Sequence, residues 1–419
     1  MRVLQAPLNI ANQGWLNAES LRMRGHHAEI WQLGERRFGY PADRVILDAN
    51  EPAVMVETLL DAMHAGFDVV HFHFAQSLVP ATGAVPWLWD LPLWRALGTR
   101  VVFSFHGTDI RIARVAKELD PWSAYHFADI PCDEDRIGDV LAVIREYADA
   151  ATISNVANRV YFPEAHYLPL SVDLRAIPEV PLPMRDVPVV AHAPSMRGTK
   201  GTEFVLAGLE SLRREGVAFE LDLIEGVSNA EVVQRYADAD VVVEKLVNEG
   251  FGVAALEAMA IGRPVVSRVV DAVFAAHPDL PIIVATPESF VDVLRPLLVD
   301  PERRVAPAAA GRPYVEAAHD ITLTGARLED LYAMPRTTPT GPYPGWTVPA
   351  RSRRISELQA LLNERRADEA RMLERLVEQG RQIARLEQEL ETARRAGPPA
   401  DGGDERPARR ARRWRGEPG

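Results

Sequence analysis

Along the first 333 positions, runs of β-branched and aromatic residues alternate with stretches whose apolar residues recur every three or four places. The first pattern predicts strands and the second amphipathic helices. In the first half, strands are expected at 1–7, 26–33, 67–74 (FDVVHFHF) and 99–109 (TRVVFSFHGTD), with helices at 17–25 and 53–66 between them. The Pro-rich stretch 173–188 breaks the periodicity, and the alternation then restarts. Strands are expected at 187–195, 219–226, 240–245 and 264–269, and helices at 202–216 and 251–262. Such alternation implies parallel sheets with helices on both faces. The predicted fold class is therefore α/β, with two doubly wound parallel-sheet domains, 1–172 and 188–333, joined by a linker at 173–187. Their carboxyl-terminal sheet edges would face a common cleft, where open parallel sheets bind ligands.

Beyond this region the pattern changes twice. Residues 334–351 are dense in proline and glycine and read as a second linker. From 352 to 396 there is no proline, and a heptad repeat emerges. Its core rows are Ile355, Leu362, Glu369, Leu376, Ile383, Leu390 and Leu358, Arg365, Met372, Gln379, Leu386, Ala393. Nine of these twelve positions are apolar, which predicts a coiled coil and hence a homo-oligomer; a single solvated helix is the alternative. The last segment, 397–419, is poor in apolar residues and is expected to be disordered. It is basic, and either a solvated tail or a weak contact with a membrane surface fits it.

Composition narrows the function. The net charge of −12 argues against a general nucleic-acid role. Only Lys117, Lys200 and Lys245 are lysines, so a lysine inside a motif stands out. The lone Cys132 fits a reducing compartment. No stretch is apolar enough to span a bilayer, and the start lacks a signal-peptide pattern, so a cytoplasmic chain is expected, either free or peripheral at a membrane.

Three segments carry candidate chemistry. The first is EGFGVAALEAMAIGRPVVS at 249–267, where Gly250, Phe251 and Gly252 precede a helix. The glycines leave backbone N–H groups open beside a positive helix end, which suits a diphosphate. Glu257 is the only charge in VAALEAMAI and must meet solvent, a partner or a ligand. Glu249 as a surface acid and Glu257 on an exposed helix face are the bland readings. In the second segment, 192–204, Arg197 and Lys200 flank a helix start. They could stabilise a leaving diphosphate, or they could be solvated loop cations. The third is SFHGTDIR at 104–111, which sets His106, Gly107 and Asp109 at a sheet edge, for a ligand or as a cap. His71 and His73 share one face of a strand, but two ligands are too few for a metal site, and none is expected. The triplet Asp238–Ala239–Asp240 reads as structural.

In this order the segments resemble the retaining glycosyltransferases of family 4, which have the GT-B fold of two Rossmann-like domains. The resemblance covers residues 1–333. Its most specific element is Glu249 and Glu257, with seven residues between them, followed by Gly262–Val266; HGTD at 106–109, LPLSVD at 168–173, TKGTEF at 199–204 and GRPYVEAAHD at 311–320 also fit. It implies a glycosyltransferase that takes a nucleotide-diphosphate sugar as substrate, with no cofactor, and passes the sugar to an unidentified acceptor. Glu257 would bind the donor ribose, Glu249 the transferred sugar, Arg197 and Lys200 the diphosphate, and His106 would lie by the sugar as a catalytic-site residue. Asp109, His71 and His73 would belong to the sugar or acceptor cleft, and a glycine loop around Gly14 would close near both substrates. The family often has an arginine five residues before the lysine; Ser195 stands there, and Arg197 is expected to take the role. A sugar-nucleotide epimerase of the same fold, or a non-catalytic coiled-coil scaffold, are the other classes open.

Overall fold

A computed structural model describes residues 1–340 except 36, 83 and 84, and beyond them only scattered helical positions between 367 and 388. The chain divides into two units, Met1–Ser352 and Arg353–Gly419. The first contains two sheets, and every strand pair in them is parallel.

The first sheet has seven strands: β1 (Arg2–Ala6), β2 (His27–Leu33), β3 (Arg44–Ile46), β4 (Val69–His73), β5 (Arg100–Phe105), β6 (Ala150–Ile153) and β7 (His166–Tyr167), in the order β3-β2-β1-β4-β5-β6-β7. The second has β8 (Val189–His192), β9 (Glu220–Leu223), β10 (Val241–Lys245), β11 (Val265–Ser267) and β12 (Ile283–Val284), in the order β12-β11-β10-β8-β9. Both orders reverse direction beside the first strand of their sheet, between β1 and β4 and between β8 and β10. Such a reversal opens a crevice at the carboxyl edge. Central strands are buried on both faces. All five residues of β4 are, which is why its sequence runs apolar without clean alternation. The predicted alternation thus holds element by element, and the linker region 173–187 contains no helix or strand.

The chain crosses between the sheets twice. The outward crossing passes Val172, whose N–H donates to His319 O at 2.9 Å while its carbonyl accepts from Ile321 N at 2.9 Å. The return crossing leads into the helix Ile321–Ala333, capped by the Asp320 carboxylate on Thr322 N. This helix follows the second sheet in sequence but packs on the first domain. Leu328, Leu331 and Tyr332 share a core with Val3, Ala18 and Leu21. Gly325 allows the approach, because a Cβ there would lie 2.6 Å from Ser20 O. Asp240 ties the linker down: it accepts from Arg304 Nη1 at 2.6 Å, from Arg185 Nη1 at 2.9 Å and from Val189 N at 3.0 Å. The acidic triplet is thus structural, as the sequence suggests.

A first-domain loop, 120–128, reaches the second domain at the sheet edges. Asp120 and Arg268 form an ion pair at 2.6 and 2.9 Å, with both side chains nearly buried. Arg268 also donates to Asn248 O at 2.7 Å, and Asn248 N donates to Trp122 O at 2.9 Å. Phe127 stacks edge-on against Phe204 with ring centres 5.0 Å apart.

In the second unit, Met372, Gln379 and Leu386 are helical and follow one another at heptad spacing; Met372 and Leu386 are exposed. The rest of the predicted coiled coil (352–396), the linker residues 341–351 and the basic tail (397–419) lie outside the described residues. Among the described residues no helix is long and apolar enough to cross a membrane.

Removing one partner of a buried ion pair strands the other charge, whereas replacing both with apolar groups can be nearly neutral. Arg268→Met should therefore lower stability by roughly 3–5 kcal/mol, and adding Asp120→Leu should restore a large part of it. Urea denaturation of the two variants beside the parent protein checks this; equal losses would show that the pair is not coupled.

Candidate active site

The loop between β10 and the helix Val253–Ile261 is the most constrained part of the cleft. Gly250 has φ +70°, and a Cβ on it would lie 2.7 Å from Asn155 Nδ2 of the first domain. Asn155 uses the space to donate to Glu249 O at 2.9 Å. Phe251 anchors the loop edge-on against His277 and His319, with ring centres at 5.4 and 5.7 Å. Gly252 then opens the helix, and a Cβ there would lie 3.1 Å from Glu244 Oε1 and 3.7 Å from Lys200 Nζ. Gly250 is thus required by its left-handed turn and its close neighbour, whereas Gly252 is extended and only closely approached by the Glu244 side chain.

Below Gly252 lies a buried charge cluster. The Glu244 carboxylate accepts from Lys200 Nζ and from Ser267 Oγ at 2.7 Å, and Lys245 Nζ lies 3.9 Å away. Burial works against its ionisation, but the charges of Lys200 and Lys245 and these hydrogen bonds hold its pKa down at about 2. Burial pushes Lys245 down to about 8, against the pull of Glu244. Lys200 therefore stands at the helix start, as expected, on a fixed counter-charge. Arg197 does not join it. Its guanidinium is exposed and bonds Glu225 at 2.7 and 2.8 Å and Glu203 at 3.4 Å. It opens the short helix Arg197–Lys200, three residues before Lys200, and it faces the acids of its own surface.

Glu249 and Glu257 meet different surroundings. Glu249 accepts from Arg111 Nη2 of the first domain at 3.1 Å, in a largely buried pair. Burial disfavours the Arg111 charge, but Glu249 together with the Tyr125 and Tyr161 hydroxyls outweighs it and raises the guanidinium above its ordinary value. Glu257 is nearly buried and accepts from Asn229 Nδ2 at 2.9 Å. Burial pushes it up to about 7, and the Asn229 bond and the Lys200 charge only partly offset this. The sequence required a partner for this carboxylate, and Asn229 supplies one. The first domain comes close here too: Gly39 lies 3.8 Å from Ser228 Cβ, counted from its missing Cβ, and burial and the charge of Glu257 both raise the Tyr40 hydroxyl.

On the first sheet's edge, His106 lies half-buried at the end of β5, beside a small pocket of mixed character, with Gln13, Asn17 and Ser154 on its polar side and Leu168, Pro169 and Leu170 on its apolar side. Three residues expected at the cleft lie behind it. His71 and His73 are fully buried, because β4 is central and covered on both faces. Asp109 turns its carboxylate inward onto His106 N at 3.0 Å and Gly107 N at 2.7 Å, so it shapes the turn that presents His106. Gly14 lies in the first turn of the helix Gln13–Arg22 instead of in a loop, where a Cβ would meet Ile30 Cδ1 at 2.8 Å. Its smallness serves helix–sheet packing. Among the described residues no group of three or more His, Cys, Asp or Glu side chains is arranged to hold a metal ion.

Sequence reasoning missed Arg111, Asn155, Asp120 and Arg268. Arg111 had a signal, since it closes the segment SFHGTDIR two residues after Asp109. The others act across more than ninety residues of sequence and had none.

Residues 185–300 match the family described as Glycosyl transferases group 1. A D-inositol 3-phosphate glycosyltransferase of Corynebacterium urealyticum is 34% identical over 142 residues, which is 33% of this chain and 32% of that protein. Its namesake from Kineococcus radiotolerans is 35% identical over 133 residues, 29% of this chain and 30% of that one. The chain thus matches about a third of the length of these curated relatives. Among solved structures, sucrose-phosphate synthase from Thermosynechococcus elongatus aligns with TM-score 0.57 and 18% identity over 79% of this chain and 97% of its own. Anabaena HepE in complex with UDP aligns with TM-score 0.54 and 14% identity over 79% and 99%. A trehalose-6-phosphate synthase, described as transferring a glycosyl group with retention, gives TM-score 0.54 and 11% identity over 80% and 99%. Two parallel sheets facing a cleft, shared with these structures over nearly their whole length, are the GT-B fold, and the second-sheet domain at residues 185–300 belongs to the group 1 glycosyl transferases.

Proposed function

We propose that the chain is a glycosyltransferase that moves a sugar from a nucleoside-diphosphate donor to an acceptor in the cleft, with retention and without a metal. The observation that carries this reading is the arrangement of Lys200, the glycine-opened helix start at Gly252, Glu249 and Glu257 along one sheet edge, inside the segment that matches the family. In this reading the diphosphate lies against Lys200 and the free N–H groups of the helix Val253–Ile261, which meet its charge as it leaves. The Glu244 carboxylate holds the Lys200 ammonium in place beforehand, so little reorganisation is needed at that moment. Glu249 lies beside the sugar and stabilises positive charge on the ring as the bond to the diphosphate breaks. Glu257 accepts hydrogen bonds from the ribose. His106 contributes from the acceptor side, and Arg197 guards the rim of the donor site. Retention follows the description of the trehalose-6-phosphate synthase neighbour, and a UDP-sugar is the first donor to try, after the UDP bound to HepE. The heptad pattern of the sequence is the basis for oligomerisation through residues 352–396, and a chain ending at residue 340 should then be monomeric by light scattering while still binding donor.

A panel of UDP-, GDP- and ADP-sugars, read by release of nucleoside diphosphate, tests the reading. At least one donor should be turned over, and an excess of chelator should leave the rate unchanged. Glu249→Gln should lower turnover roughly ten- to a hundredfold with little change in donor affinity, because a charged hydrogen bond is worth about 1.5–3 kcal/mol and this one strengthens in the transition state. Release from no donor, or a variant that matches the parent, would remove the basis for the reading.

Glu257 makes donor binding depend on pH. Its carboxyl in the empty protein titrates at about 7, raised by burial, and the ribose hydroxyls need the ionised form as acceptor. Donor affinity should therefore rise as pH increases through 7 and fall below it by up to about tenfold per pH unit. Glu257→Gln should bind donor more weakly at pH 8 and show a flatter profile between pH 6 and 8. Donor titrations of both proteins across that range check this; parallel profiles would show that another group titrates.

A further inference from the structure

Behind His106 a chain of uncharged hydrogen-bonding groups runs through the first domain to the returning C-terminal helix. His106 Nε2 lies 3.0 Å from His73 Nδ1, and His73 Nε2 lies 2.9 Å from Gln5 Oε1. Gln5 Nε2 donates to Tyr332 Oη at 3.2 Å, and Tyr332 Oη meets His71 Nδ1 at 2.8 Å. His71 Nε2 meets Ser104 Oγ at 2.7 Å, and Ser104 Oγ meets Thr152 Oγ1 at 2.7 Å. All three imidazoles are neutral: burial pulls His71 down to about 3, His106 to about 4 and His73 well below its ordinary value.

A neutral imidazole has one N–H and one bare nitrogen, so each link fixes the next. If Gln5 offers its oxygen to His73, then His73 Nε2 carries the proton and its Nδ1 is bare. His106 Nε2 must then carry a proton to donate to it. In the other arm, the Gln5 amide donates to Tyr332, Tyr332 donates to His71 Nδ1, and His71 Nε2–H donates to Ser104. Ser104 passes its proton to Thr152, which donates to Phe103 O at 3.4 Å. Turning the Gln5 amide over would reverse the links in both arms. Two contacts favour the direction just described: Asn17 Nδ2 also donates to Gln5 Oε1 at 3.4 Å, and Phe103 O, a carbonyl, can only accept.

We propose that Gln5, held between Asn17 and Tyr332, is a positioning residue that fixes His106 in the Nε2–H tautomer and leaves Nδ1 as a bare acceptor. A ring in this state accepts a hydrogen bond at Nδ1 and has no N–H left to offer a phosphate oxygen. A substrate group meeting Nδ1 is therefore a hydrogen-bond donor, such as a sugar or acceptor hydroxyl, and not a phosphate oxygen. The tautomer itself belongs to the empty protein. Only the identity of the substrate group rests on the transferase reading, so the two can fail separately.

The test is nitrogen NMR of the full-length protein with 15N-labelled histidine rings, without substrate, the His106 signals being assigned by their loss in His106→Gln. The expected result is Nε2 in the protonated range and Nδ1 in the bare range; the opposite pattern overturns the proposal. In Gln5→Met the acceptor for His73 is gone, and the minor Nδ1–H form of His106 should rise about tenfold or more, since a buried donor without a partner is costly. Tyr332→Phe, on the returning helix, removes the acceptor of the Gln5 amide and should shift the balance the same way even if Gln5→Met does not fold. Signals identical to the parent in whichever variant folds would show that Gln5 does not set the tautomer. A general loss of packing would broaden many histidine signals, whereas the proposal moves those of the linked rings.

Discussion

The cleft depends on one electrostatic contact between domains that share no strand. Asp120 and Arg268 face each other where water is excluded, and neither could be buried there alone without a cost of several kcal/mol. Their pairing, with Asn248 bonded to the neighbouring loop, brings the first-domain segment 120–128 against the edge that carries Lys200 and Glu249. Arg111 meets Glu249, and Asn155 meets the Gly250 loop, along the same approach. The two halves of the site therefore come into register through charge, with apolar contact such as Phe127 on Phe204 added around it.

Within each half, buried polar groups set direction as much as they add stability. Glu244 is charged because two lysines and a serine surround it, and it in turn decides where the Lys200 ammonium rests. Glu257 has only a neutral amide as partner and therefore sits near its titration point. The same residue type thus gives a fixed counter-ion in one place and a proton-sensitive acceptor in another. The difference lies in whether a cation is in contact.

The fold was legible because its signals are local. A central strand such as β4 declares itself by five consecutive residues that can be buried on both faces, and Gly262 ends its helix with φ +92°. Glu249, Glu257 and Lys200 were legible as motifs, since each lies within a few residues of a glycine-opened helix. Depth was not legible: His71 and His73 share a strand face as read, but only the stacking of helices shows that this face is closed. Nor was the partner of a charge. Arg268 is an unremarkable position until the chain brings Asp120 beside it, and the helix at 321–333 gives no local sign that it returns to the first sheet. Arg197 shows the converse. A cation at nearly the right spacing spends its charge on Glu203, inside the motif at 199–204, and on Glu225, which lies outside every motif.

The two crossings between the sheets add a mechanical consequence. Val172 is bonded on one side to His319 and on the other to Ile321, so the outgoing and returning chains run as a single two-stranded strap. One strand of chain is a swivel, free to twist about its own axis. Two bonded side by side restrain that twist. The helix that follows the strap carries Tyr332 in its last turn, bonded to His71 Nδ1. The strap is therefore anchored in the core of the first domain, where Leu328, Leu331 and Tyr332 pack.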